Sequence, residues 1–130
     1  MMQISERLND ILIANKGTRS IVVSDRDGVE ILSTPSGALS EGDSRYNSQI
    51  VSTIFSLTHE QCEKLDEFKK ANFLLSEYGK SVAMIQANSP PLVITVKADR
   101  DMVSDGQLMT IVENVQTVFS SVKPQLAAVA

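Results

Sequence analysis

The 130-residue sequence holds one cysteine, one histidine and no tryptophan. A single Cys excludes an internal disulfide framework. A structural zinc site takes four Cys or His ligands, and Cys62 with His59 supplies only two. The same shortage argues against haem and iron–sulfur chemistry. Basic residues number 12 against 16 acidic ones, a net charge of -4. Nucleic-acid affinity rests on clustered Lys and Arg, and here the one adjacent basic pair, Lys69-Lys70, follows directly on Asp66, Glu67 and Phe68. No apolar run approaches the roughly 20 residues that span a bilayer. The opening MMQISERLND is charged too early for a signal core and lacks a Met-Gly start, and the closing QLAAVA lacks a prenylation Cys. The expectation is a cytosolic, reduced chain that reaches any membrane through other subunits.

What is present suits one folded domain over residues 1–130. Hydrophobic residues are 42% and charged residues 22%. A chain of this length buries about two-thirds of its unfolded surface. Ile4, Leu8, Ile11 and Leu12 recur at helical spacing ahead of Gly17, which predicts a first helix over 3–15. The β-rich runs 20–25 and 29–34 meet through Asp25-Arg26-Asp27-Gly28 and predict a hairpin. The Ser/Gly-rich, acidic stretch over about 35–45 predicts a flexible loop.

A long helix is expected over 46–67. Ile50, Ile54, Leu57 and Leu65 line one stripe of it, and Val51, Phe55 and Cys62 a second. A helix that only covers a sheet needs one stripe. Two stripes mean either deep burial or packing on a sheet and on a partner. Three close-set β-rich runs follow at 72–78, 81–87 and 92–98, which argues for antiparallel neighbours. Several are apolar on both faces, so helices are expected on both sides of the sheet. Ser104 and Gln107 have the spacing of a capping box, and an apolar helical pattern runs from Leu108 to Val122. The order α-β-β-α-β-β-β-α describes an α+β, three-layer α/β/α sandwich around a five-stranded antiparallel sheet.

The near-motifs fail at named positions. Gly79-Lys80-Ser81 looks like the end of a phosphate-binding loop, but the required earlier Gly is Leu74 and a strand follows instead of a helix. Asp25-Arg26-Asp27-Gly28 puts Gly fourth, where a calcium loop needs it sixth. Asp99, Asp101 and Asp105 precede a helix N-terminus, whose dipole favours carboxylates without any metal. His59-Glu60 suggests a zinc-protease helix, but Glu63 stands where the second His belongs. Cys62 reads as a packing residue and His59 as a surface one. No catalytic, cofactor or metal site is expected.

The segment IVVSDRDGV (21–29), with EQCEKL (60–65) and SPPLVITV (89–96), resembles the roadblock/LC-seven family. Within it the likeness is strongest to the MAPK-scaffold subunit type of the late-endosomal/lysosomal adaptor complex called Ragulator. It covers about residues 20–120, and the Asp-Arg-Asp-Gly hairpin is its most specific stretch. The N-terminal segment and residues 35–48 do not match. The resemblance implies strand order 2-1-5-4-3, the long helix on one face and the terminal helices on the other. It implies a non-enzymatic scaffold without cofactor, paired with a second roadblock subunit through the long helix and the third strand. Further implied partners are the other adaptor subunits, Rag-type GTPases of TOR signalling, and a MAP kinase kinase with its MAP kinase. The implied location is the late-endosomal or lysosomal surface, reached through partner subunits, with no direct membrane insertion. Element placement and apolarity put the interface at Ile50, Ile54, Phe55, Leu57, Cys62, Phe73, Leu74 and Leu75. Two rival readings are a homodimeric roadblock regulator of a small GTPase and a small-molecule sensor on a similar sandwich.

Overall fold

A computed structural model describes residues 2–25, 27, 29–34, 44–65, 72–89 and 91–120, with side chains from Ile4 onward in the first helix and from Ile54 onward in the long one. In chain order the elements are α1 (Met2–Ala14), β1 (Thr18–Asp25), β2 (Glu30–Thr34), α2 (Ser44–Glu63), β3 (Phe73–Tyr78), β4 (Val82–Ser89), β5 (Leu92–Asp99) and α3 (Asp105–Ser120). This is the order read from the sequence. Helix α2 begins two residues earlier and ends four earlier than the apolar pattern suggested. The expected loop at 35–45 falls outside the described residues as far as 43, as do Arg26, Gly28 and Pro124.

The strands form one antiparallel sheet ordered β2-β1-β5-β4-β3. Residues directly opposite in an antiparallel ladder share a face, so register separates the two sides. Ile21, Val23, Ala83, Ile85, Ala87, Leu92, Ile94, Val96 and Ala98 point to one face, where they join Leu8 of α1 and Leu108, Ile111, Val112, Val115, Val118 and Phe119 of α3 in an aliphatic core. The opposite face carries Val22, Ser24, Met84, Gln86, Val93 and Thr95, all buried. The second face is therefore more polar than the apolar strand runs suggested.

Local chemistry sets the element ends. Asp25 Oδ1 accepts from the backbone N–H groups of Asp27 and Val29, both at 2.9 Å, and so closes the β1–β2 turn. Asp25 N–H also donates to Val29 O at 3.0 Å. At α3 the expected capping box forms: Gln107 N–H donates to Ser104 Oγ at 3.2 Å, and Ser104 N–H to Gln107 Oε1 at 2.8 Å. Between α1 and β1, Gly17 has φ +99°, a conformation that disfavours side chains.

Candidate partner interface

Helix α2 and the edge strand β3 carry most of the residues singled out from the sequence. Successive residues of a helix advance by about 100°. Phe55, His59 and Cys62 therefore share one side, while Ile54 and Leu57 lie on another. Burial follows this division. Phe55 is 3% exposed, Cys62 is half-buried, and Ile54 and Leu57 are exposed at 37% and 53%. The two apolar stripes thus have different roles. One turns inward, and the other faces solvent. A helix buried all round is ruled out. Phe55 belongs to the inward stripe, where it fastens α2 to its own domain and offers no free surface, contrary to the expectation for it. The Ile50 side chain lies outside the described residues.

His59 also differs from the expectation of a surface residue. Its side chain is only 12% exposed, its Nε2 lies 3.1 Å from Glu63 Oε1, and its ring stacks on Phe55 with centroids 6.1 Å apart. The one-turn spacing of residues 55, 59 and 63 produces this ladder.

Among the described residues, strand β3 pairs with β4 alone. Its burial alternates weakly, with Phe73 and Leu75 exposed at 38% and 42% and Leu74 half-buried. The ladder pairs Phe73 with Ala87, Leu75 with Ile85 and Glu77 with Ala83, so these three lie on the α1/α3 face. Leu74 and Ser76 pair with Gln86 and Met84 and lie on the other. The fold thus places Leu74 on the α2 side and puts Phe73 and Leu75 across the sheet from it. What unites them is the strand edge, which has no second strand beside it among the described residues. An exposed apolar edge is an aggregation hazard unless a partner covers it.

Two open clefts share Asn88 of β4 in their lining. One of about 330 Å³ is lined by Phe55, Ser56, His59, Glu60, Glu63 and Asn88. A second of about 320 Å³ is lined by Asn88, Ser89, Leu92, Gln116, Phe119 and Ser120. Both are at the small end of ligand sites. Among the described residues no three His, Cys, Asp or Glu side chains gather as a metal site, and no helix is long and apolar enough to cross a membrane.

The sequence reading missed a charged junction beside β3. Arg100 donates through Nη2 to Glu77 Oε1 and through Nη1 to Asp105 Oδ1, both at 2.8 Å. Arg19 pairs with Asp99 next to it. Arg19 and Asp99 are 80 residues apart, so no local pattern signals that pair, whereas Arg100 and Asp105 are five apart.

A family model described as mitogen-activated protein kinase kinase 1 interacting matches residues 2–126. No curated protein matches the sequence. Among solved structures, Myxococcus xanthus MglB superposes with a TM-score of 0.79 at 12% identity, over 96% of this chain and 98% of that one. A roadblock/LC7 domain from Streptomyces avermitilis gives 0.74 at 14% identity, over 95% and 97%. Profilin IA of Acanthamoeba castellanii gives 0.56 at 9%, over 87% and 93%. At these identities the likeness establishes a common fold, the roadblock/LC7 sandwich.

Proposed function

The chain belongs to the mitogen-activated protein kinase kinase 1 interacting family, and from that premise we propose that it is a non-enzymatic scaffold, a single roadblock-type domain over residues 1–130 that works by pairing with a second roadblock subunit. The observation that carries this reading is the coincidence of an outward apolar stripe on α2 with an apolar, unpaired edge at β3. Pairing at that edge continues the sheet across two subunits and covers Ile54, Leu57, Phe73, Leu74 and Leu75. Ile50 and Cys62 belong to the same proposed surface, and Phe55 supports it from beneath. A stable interface of this kind buries at least about 1,000 Å², apolar at its centre.

The mechanism is presentation of a composite surface. The sequence resemblance gives the setting: a late-endosomal or lysosomal adaptor of the Ragulator type, where the pair supports Rag-type GTPases in TOR signalling and docks a MAP kinase kinase and its MAP kinase. The membrane anchor is supplied by another subunit. No catalytic, cofactor-binding or metal-binding residue is assigned.

The test is affinity purification of the tagged chain from its own cells, then light scattering on the recovered complex. The expected result is a 1:1 pair with another roadblock-domain protein, which Leu75→Glu disrupts while the variant keeps the melting temperature of the unpaired wild-type chain. A strictly monomeric, well-folded chain with no roadblock partner overturns the proposal. A self-associated chain that binds a small GTPase without a second subunit replaces it with the homodimeric regulator.

A further inference from the structure

An edge strand that must pair faces a conflict when it carries a charge. A free carboxylate on an edge is a recognised defence against strand pairing, and covering one leaves an uncompensated buried charge. Strand β3 carries such a group. Glu77 lies on the same face as Phe73 and Leu75 and ends their row, and its side chain is 52% exposed.

Its carboxylate is already engaged. Arg100 Nη2 holds Glu77 Oε1 at 2.8 Å, while Nη1 of the same guanidinium holds Asp105 Oδ1 at 2.8 Å in the first turn of α3. Arg100 is itself fixed, because its backbone N–H donates to Ser81 O at 2.9 Å across the β3–β4 turn. The next residue back, Asp99, donates its N–H to Gly17 O at 2.8 Å and pairs with Arg19. The guanidinium thus stands on a well-tethered loop and links the end of the free edge to a core helix. A planar fork can serve two carboxylates at once, which an ammonium does poorly.

Resting on the reading of β3 as the pairing edge, we propose that Arg100 is a positioning residue for that interface: it draws the Glu77 carboxylate off the free edge toward α3, so that the edge meets its partner without an unpaired charge. Exposed ion pairs contribute little to folding, so the effect belongs to association. It lowers the ordering and desolvation cost of pairing.

The experiment measures the affinity of the full-length chain for the roadblock-domain protein it pairs with, a second copy included. It compares wild type, Leu75→Glu, Arg100→Ala, Glu77→Gln and the double variant Arg100→Ala/Glu77→Gln, with melting temperatures alongside. Arg100→Ala is expected to weaken pairing by about fivefold or more. Glu77→Gln alone stays within about twofold of wild type, and the double variant returns to that level, because the charge Arg100 was needed to hold has gone. Arg100→Ala with unchanged affinity overturns the inference. So does a loss that Glu77→Gln fails to rescue, which would make the pair a structural tie. Indifference of pairing to Leu75→Glu, or no pairing at all, overturns the underlying reading and this inference with it.

Discussion

Gly17 and Gly79 both have positive φ, +99° and +62°, and their surroundings give them opposite tolerance to substitution. A Cβ on Gly17 would stand 2.5 Å from Met102 Cβ and 3.1 Å from Val103 Cγ2, whereas one on Gly79 meets nothing within 4 Å. Backbone strain and overpacking therefore add at residue 17, and Gly17→Ala is expected to cost about 2–4 kcal/mol in denaturant unfolding. Gly79→Asn, a residue that tolerates this conformation, should cost less than about 1 kcal/mol. The sequence suggested Gly17 as a helix stop, but the contact with Met102, 85 positions away in the chain, could not be read there. His59 teaches the same lesson. Its spacing from Glu63 was plain, yet its burial depends on how α2 lies on the sheet.

At the scale of elements, the two sides of the sheet are unequal. Helices α1 and α3 seal an aliphatic face, while α2 rests on one that includes buried Ser24, Gln86 and Thr95. Polar groups in that layer supply less transfer free energy than aliphatic ones, and among the described side chains of α2 Phe55 is the buried apolar one. Phe55→Ala is expected to lower stability by about 3–5 kcal/mol and to speed amide exchange in α2 well before β1, β5 and α3 respond. Hydrogen-exchange mass spectrometry reads this difference, and uniform loss of protection across the chain would contradict it. The capping box of α3 was legible because all its partners lie within three residues. The face of each β3 residue was not. Period-2 alternation says that Phe73 and Leu75 share a side, but only the pairing of Phe73 with Ala87 and Leu74 with Gln86 says which side.

For the whole molecule, the proposed pairing through the outward stripe of α2 and the edge at β3 would make stability depend on association. A partner that binds only the folded chain adds RT ln(1 + [L]/Kd), about 2.7 kcal/mol at a hundredfold excess over Kd. The melting temperature of the chain should therefore rise with partner concentration, and Leu75→Glu should abolish the rise without lowering the baseline. Differential scanning fluorimetry across a titration checks both. The order of elements, the capping box of α3, the Asp25 turn and the two stripes of α2 were determined by the sequence alone, because each rests on periodicity or on contacts within a few residues. The tertiary structure decided which stripe is buried, which face each strand residue takes, and that Arg100 joins Glu77 to Asp105. Those facts depend on register and on side chains brought together from distant positions, which no local pattern encodes.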